Sequence, residues 1–205
     1  VAIRMRMCIQ GQFKPVMQIT SRHHRIDLPH CRSLDAMDPL RTLRDHFILP
    51  EGTIYLDGNS LGAMPKKAAT RVAQVVTQEW GQGLIGSWNS AGWFNLPQRL
   101  GDQIARLIGA GAQEVVATDS TSINLYKVLS AALSISSKDR PPRKIVLSER
   151  SNFPTDLYIA QGLCKERGFD LLLVEPDQIA SSLTDQIAVL LLTHVNYRTG
   201  AMLDM

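Results

Sequence analysis

Hydroxyl side chains cluster at the start of one predicted helix, in the run Thr118-Asp-Ser-Thr-Ser122. A helix N-terminus presents unpaired backbone N–H groups and the positive end of the helix dipole, so hydroxyl donors at this point suit a phosphate group. The same residues could instead be simple helix caps, with Ser120 or Thr121 accepting from the backbone. The run lacks the glycine signatures of the P-loop and of the dinucleotide fingerprint. A phosphate bound here would therefore not be expected to belong to ATP or NAD.

A second polar loop, from Ser151 to Asp156, follows a predicted strand and carries an aromatic residue. Pro154 fixes the start of the next helix, which leaves Phe153 at the end of the strand and Asp156 in the first helical turn. Phe153 could stack on a ring and Asp156 could keep a ring nitrogen protonated, so the pair suits a charged heteroaromatic ligand. Alternatively, Phe153 is a core residue and Asp156 a helix cap. Thr193, at the end of another predicted strand, adds one more hydroxyl.

These loops lie where predicted strands and helices alternate. The pattern predicts strands over 114–118, 144–148, 170–174 and 187–193, and helices over 121–135, 154–167 and 177–183. Apolar strands separated by amphipathic helices are typical of the α/β class, with a mainly parallel sheet and helices on both of its faces. Ligands of such sheets bind beyond the carboxyl ends of the strands. We therefore expect the three loops to converge on one small anionic aromatic ligand.

Upstream of this region, hydrophobic periodicity and capping residues predict helices over 38–47, 65–80 and 97–109. Thr53–Leu56 is a short β-prone run that ends in a dense turn. Gly81–Gly92 is expected to be a glycine-rich loop that holds Trp88. The sequence thus predicts an arm with a short helix and a turn over 34–64, followed by the α/β domain over 65–205.

Composition excludes several classes of protein. With 205 residues, 44% hydrophobic and 20% charged, the chain has the composition of an ordinary globular domain and not of a disordered protein. The longest aliphatic run has six residues, far short of the roughly 20 that a membrane-spanning helix needs. Three scattered cysteines have neither disulfide-framework nor zinc spacing, so no metal site is predicted. No secretory signal is visible, so we expect a cytoplasmic protein.

Positive charge is concentrated in residues 1–33, which carry a balance of +5 against +3 for the whole chain. The rest of the chain is therefore mildly acidic. A nucleic-acid arm, a membrane-surface arm and a transit peptide are possible interpretations of this basic leader. Its cations are spread out without aromatic residues between them, which is a poor nucleic-acid footprint. We expect a flexible extension, or upstream sequence translated ahead of the usual start, with neither nucleic acid nor membrane as a partner.

Five motifs, in this order along the chain, closely resemble those of bacterial kynureninases. They are Tyr55–Gly62, the Trp80–Asn89 segment, Asp119–Asn124, Phe153–Asp156 and Tyr197–Gly200. The resemblance covers about Leu34 to Met205. It implies a pyridoxal 5'-phosphate (PLP) enzyme of fold type I, the aspartate aminotransferase fold, that forms a homodimer. The reaction that it implies is hydrolysis of L-kynurenine, or of 3-hydroxykynurenine, to L-alanine and the corresponding anthranilate in tryptophan degradation.

The resemblance also assigns roles to individual residues. Thr121 and Ser122 would hold the cofactor phosphate, Phe153 would stack on the pyridine ring, and Asp156 would approach the polar edge of that ring. The implied cofactor-binding set is completed by Pro154, Thr155 and Thr193, and the residues expected to border the substrate are Asn59, Ser60 and Trp88.

One implied group is missing from these 205 residues. The family's Schiff-base lysine and its main pyridinium aspartate follow the threonine-glycine turn at Thr199, in motifs that this sequence does not contain. A sheet of four strands without a closing helix also predicts that the chain ends within a domain, as an N-terminal fragment. We therefore expect half of a cofactor site, no catalytic lysine and no activity of the chain alone. The alternatives are a desulfurase or aminotransferase of the same fold, or a non-catalytic truncated paralogue.

Overall fold

The computed structural model describes residues 26–139 and 141–205. The prediction for most of the basic leader, through residue 25, lies outside the described residues. The chain divides into two compact units, which we treat separately: the N-terminal unit, with the described residues up to Leu100, and the C-terminal unit, Gly101–Met205. Among the described residues, no helix is both long and apolar enough to cross a lipid bilayer.

The N-terminal unit begins with a helix that the sequence pattern did not predict. Helix α1 spans Leu28–Met37, and the Asp27 side chain caps it by accepting from the His30 N–H at 2.9 Å. The predicted helix over 38–47 is wrong as an α-helix, because Asp38 ends α1 and only a 3₁₀ helix, Arg41–His46, follows. The β-prone run 53–56 forms no strand. Two short strands, β1 (Phe47–Ile48) and β2 (Met64–Pro65), pair antiparallel instead.

The long helix predicted over 65–80 is confirmed. Helix α2 spans Lys66–Gln74 and continues as a π-helical segment, Val75–Trp80. The expected glycine-rich loop is wrong in detail, because a 3₁₀ helix (Leu84–Gly86) and helix α3 (Ser87–Ser90) fill it and place Trp88 in a helical turn. Helix α4 (Leu96–Ile108) confirms the helix predicted over 97–109.

The C-terminal unit is a mixed helix and sheet structure around three parallel strands. Helix α5 (Thr121–Ser136) precedes strand β3 (Ile145–Glu149), and helix α6 (Pro154–Arg167) leads to strand β4 (Asp170–Val174). A 3₁₀ helix (Pro176–Gln178) and strand β5 (Ile187–Leu191) follow, and the strand order is β4-β3-β5. These elements confirm three predicted strands and two predicted helices. The predicted helix over 177–183 is wrong, since only the 3₁₀ turn forms.

The predicted strand over 114–118 is also wrong, because that segment packs against a helix and not in the sheet. The carbonyl of Val115 lies so close to Gly101 of α4 that a Cβ on the glycine would be 1.9 Å from the oxygen. Gln113 and Asp119, on either side of the segment, adopt left-handed backbone conformations with φ of 65° and 46°. A segment bent at both ends cannot extend a sheet ladder.

Strand β3 lies in the middle of the sheet and contributes to two apolar clusters. On one face Val146 packs with Leu133 of α5 and with Leu163 of α6, all essentially inaccessible to water. Leu147 points to the other face, where its partners include Ile179 and Leu203. The two long helices thus cover one face, whereas the second cluster is completed by the segment after the Pro176 turn and by the C-terminal residues. Within the described residues, the helices expected on both faces are found on one.

Candidate functional site

The two long helices of the C-terminal unit both start at the carboxyl edge of the sheet. Ser136, in the last turn of α5, donates to the carbonyl of Ala188 at the beginning of β5, at 3.2 Å. Arg167, at the end of α6, donates to the Ser130 carbonyl at 2.9 Å, so α6 ends beside the C-terminal half of α5. Both helices therefore run antiparallel to the strands. This direction brings Thr121 and Pro154, their first residues, to the edge where the sequence predicts a ligand.

The turn before α5 is held by its own side chains. Asp119 forms an ion pair with Lys127, which holds the pKa of the Asp119 carboxyl below its usual range. The Thr118 hydroxyl donates to Asp119 at 3.1 Å, and the Asn124 amide donates to the Thr118 carbonyl at 2.8 Å. Ser120 caps the helix by accepting from the Ile123 N–H at 3.4 Å. The capping interpretation is therefore confirmed for Ser120. Neither Thr121 nor Ser122 is the capping residue.

Thr121 and Ser122 are donors without acceptors in the described part of the chain. Their backbone N–H groups lie in the first turn of α5, where a helix offers no internal partner, and no other described residue accepts from them. Their hydroxyls are likewise outside every hydrogen bond between described residues. Thr121 is exposed and Ser122 is half-buried. This first turn can therefore offer four neutral donors to an anion, supported by the helix dipole.

A buried asparagine joins the second and third predicted loops. Asn152 is only 4% exposed, and its side-chain oxygen accepts from the Phe153 N–H at 2.7 Å and from the Thr193 hydroxyl at 2.6 Å. Its amide nitrogen donates to the Ser148 hydroxyl at 3.2 Å, which in turn donates to the Leu191 carbonyl at 2.7 Å. Phe153 and Thr193 are thus brought together as predicted. Asn152 itself was missed, although its position in a polar run directly after a strand was the available signal.

Phe153 is an exposed aromatic residue and not a core residue. Its side chain is 44% exposed, and the edge of its ring meets Tyr197 with the ring centroids 4.9 Å apart at 69°. Asp156 follows in the first turn of α6, where its N–H donates to the Phe153 carbonyl at 3.0 Å. Burial raises the pKa of the Asp156 carboxyl, and no cation among the described residues pairs with it. Pro154 starts the helix, and Thr155 is exposed beside it.

The turn over 196–200 forms one wall of a cleft beside Phe153. Asn196 ties this turn to the preceding loop, because its side-chain amide donates to the Ser151 hydroxyl at 3.0 Å. Arg198 lies over the Tyr197 ring at 5.6 Å and also donates to the Tyr197 hydroxyl at 3.0 Å. The cleft has a volume of about 390 Å³. It is lined by residues that include Asn152, Pro154, Tyr197 and Arg198, and its lining does not include Phe153, Thr121, Ser122, Asp156 or Thr193.

The predicted substrate residues lie in the N-terminal unit. Asn59 and Ser60 are exposed in a turn that the Ser60 N–H closes by donating to the Asp57 carbonyl at 3.1 Å. Trp88 is half exposed and meets the edge of Trp93 at a centroid distance of 6.4 Å. Their role toward a substrate stays a prediction.

Glu79, which the sequence interpretation missed, organises the segment around Trp88. Its carboxylate pairs with Arg71 and accepts from the Trp93 indole N–H at 2.7 Å. Its backbone carbonyl accepts from the buried Ser87 hydroxyl at 2.6 Å. The bonds from Arg71 and Trp93 hold the pKa of the Glu79 carboxyl below its usual range, the pairing with Arg71 being the larger cause. A single acidic residue thus connects α2 with the segment that carries two of the three tryptophans. No group of three or more potential metal ligands occurs among residues 26–139 and 141–205.

Comparison with known proteins gives one consistent result. No protein-family model matches this chain. The chain is 57% identical over 176 residues to the kynureninases of Burkholderia mallei (strain SAVP1) and Burkholderia pseudomallei (strain 1106a). It is 56% identical over 178 residues to the kynureninase of Pseudomonas fluorescens. These alignments cover 84% to 85% of this chain but only 42% to 43% of the relatives, so the chain spans less than half of their length.

Proposed function

Because this chain is a homologue of the kynureninases over 84% of its length, we propose that it supplies part of the active site of such an enzyme. The proposed reaction is hydrolysis of L-kynurenine, or 3-hydroxykynurenine, to L-alanine and the corresponding anthranilate. The observation that supports the proposal is that α5 and α6 start at the same edge of the sheet, with unpaired donors at the start of α5 and an exposed aromatic ring and a carboxylate without a cation partner at the start of α6. The proposal includes PLP as cofactor, fold type I for the whole protein, the three-part division predicted from the sequence, and a homodimer.

The residues at this edge fit the phosphate of PLP. A phosphate needs several donors, and the first turn of α5 offers the N–H and hydroxyl groups of Thr121 and Ser122, none of which is used by a described residue. The helix dipole adds to the attraction for an anion. Asp119, two residues before Thr121, is paired with Lys127, which reduces the repulsion between this carboxylate and a phosphate.

The residues of the second loop fit the ring. Phe153 can stack on a pyridine ring, because nearly half of its side chain is exposed while Asn152 and Tyr197 hold it in place. Asp156 bears a desolvation cost that raises its pKa, and a protonated ring nitrogen beside it would offset that cost. When bound, PLP would supply an electron-accepting ring that stabilises negative charge on the substrate. The chain's own residues bind, orient and shield that ring.

The residues that we propose for substrate binding lie in the N-terminal unit. We propose that Asn59, Ser60 and Trp88 border the kynurenine site, as the family resemblance implies. The half-exposed Trp88 ring, supported by Trp93, is of the type that packs against an aromatic substrate.

The cofactor proposal is tested by the affinity of the full chain for PLP, measured by equilibrium dialysis. We expect saturable binding by the wild type and about tenfold weaker binding by Thr121→Val and by Ser122→Ala, since each removes one hydrogen bond to a charged group. Thr184→Val is the matched control, because Thr184 is an exposed threonine elsewhere in the same unit. Absence of saturable binding, or equal affinity of all variants, would refute the phosphate assignment.

The reaction is tested on the polypeptide that the gene encodes around this sequence, expressed in full. Fluorescence of released anthranilate should report turnover of L-kynurenine, and Asp156→Asn should lower the rate. A PLP-loaded protein that releases no anthranilate would leave the cofactor assignment intact and overturn the proposed reaction.

A further inference from the structure

We propose that Asn152 is a positioning residue that fixes the Phe153 ring and the Thr193 hydroxyl at the mouth of the ligand site; this role rests on the proposed PLP site. Asn152 is only 4% exposed, and although it is among the residues that line the cleft, its side-chain oxygen and nitrogen both bond to protein groups. The oxygen accepts from Phe153 and Thr193, and the nitrogen donates to Ser148. It therefore acts through its neighbours.

Donor and acceptor chemistry determines which way the Asn152 amide points. The Phe153 backbone N–H can only donate, so the side-chain atom that faces it at 2.7 Å is the amide oxygen. The amide nitrogen then faces Ser148 and must donate, because Ser148 uses its own proton on the Leu191 carbonyl at 2.7 Å. The network thus has one consistent direction, from Asn152 through Ser148 to β5.

The same direction determines what Thr193 can offer a ligand. Its hydroxyl donates to the Asn152 oxygen at 2.6 Å, so its only proton points into the protein. Toward a ligand, the Thr193 hydroxyl can then only accept a hydrogen bond. A ligand group that meets Thr193 is expected to be a donor.

Asn152 also joins the ends of two neighbouring strands. Ser148 and Leu191 are register partners in β3 and β5, and the Asn152 network continues this pairing beyond the last ladder bonds. Pro154 restricts the backbone on the other side of Phe153. The ring is thus held in place before a ligand arrives, which lowers the entropy cost of binding.

The test compares PLP affinity and local structure in the full chain. We expect Asn152→Ala to weaken PLP binding about tenfold, through lost support for Phe153 and Thr193. Ser136→Ala is the matched control, because Ser136 is also a buried polar residue and its hydroxyl donates to the Ala188 carbonyl of β5, at the opposite edge of the sheet from Asn152. It should lower the denaturation midpoint and change the PLP dissociation constant by less than about twofold.

Two further readouts separate positioning from general stability. Thr193→Val should weaken PLP binding, and Thr193→Ser, which keeps the hydroxyl, should restore most of the affinity. In the protein without PLP, hydrogen exchange of the Phe153 amide should be slow in the wild type and fast in Asn152→Ala, while the Leu147 amide in the core stays protected.

The outcomes distinguish this inference from the proposed function. If the wild type does not bind PLP but Asn152→Ala still loses protection at Phe153, the cofactor proposal fails and the positioning geometry stands. If Asn152→Ala keeps wild-type PLP affinity, or keeps slow exchange at Phe153, the positioning role is overturned.

Discussion

Substitution of two helical glycines by alanine should change stability in opposite directions. Gly101 lies in α4, where an added Cβ would be 1.9 Å from the Val115 oxygen, 2.5 Å from its carbonyl carbon and 2.9 Å from the Val116 Cα. Gly162 lies in α6, and an added Cβ there would meet nothing within 4 Å. The two positions thus share a secondary structure and differ in the space around them.

The expected magnitudes follow from these distances. In an open helical position alanine is favoured over glycine by about 0.5–1 kcal/mol, so Gly162→Ala should stabilise the chain by about this amount. At Gly101 the contact must open from 1.9 Å to an ordinary 3.4 Å, and the atoms in the way are backbone atoms that cannot rotate aside. Overpacking of this kind costs about 1–3 kcal/mol, which outweighs the gain in helix propensity. Gly101→Ala should therefore destabilise the chain.

Denaturant titration of both variants and the wild type measures the two effects. The slope of the free energy of unfolding against denaturant concentration should be the same in all three proteins. Because Val115 lies just before the turn that caps α5, Gly101→Ala should also weaken PLP binding, whereas Gly162→Ala should leave it unchanged. A Gly101→Ala variant as stable as the wild type would refute the close approach of α4 to the 114–118 segment. It would also remove our reason for the absence of a strand there.

The other predictions concern two titratable groups. Because Arg71 and the Trp93 indole lower the pKa of Glu79 from its ordinary value of 4.5, its contribution to stability is complete above about pH 4.5 and is lost as the pH falls through the lowered pKa. Tryptophan emission below pH 4.5 should therefore change in the wild type, and an identical titration of Glu79→Gln would contradict this coupling. Burial raises the pKa of the Cys164 thiol to about 11, and the charge of Asp170 adds a smaller effect. A thiol reagent at pH 8 should therefore modify the half-buried Cys31 and leave Cys164 unmodified. Peptide mass spectrometry would detect equal modification of the two cysteines, which would contradict the prediction.

Elements with strong local signals were predictable. Strand β4, Asp170–Val174, was predicted to the residue, because five apolar-rich residues lie between a left-handed glycine at 168 and a proline at 176. Helix α6 has Pro154 at its start and the same glycine at its end. The 114–118 segment has comparable β propensity and forms no strand. Propensity states only that a segment can be extended, whereas a strand also needs a neighbour with free backbone groups.

The residues of the candidate site likewise fall into those that the local sequence could identify and those that it could not. Residue types and helix starts sufficed to single out Thr121, Phe153 and Asp156, since phosphate-binding turns and helix-capping turns share a local pattern. The local pattern could not predict that Ser120 is the capping residue. It also could not predict that Asn152 supports Phe153.

The sequence alone determined the alternation of strands and helices, the three polar loops and the family resemblance, because each depends on residues close together in the chain. The tertiary structure decided which hydrogen-bond donors of the candidate site stay unpaired and which bond to other groups of the protein. The bond from Thr193 to Asn152 joins residues 41 positions apart, and the Ser148 bond to Leu191 spans 43. Such bonds exist only after β3 and β5 have paired, and their donors and acceptors have no sequence period that could reveal them beforehand.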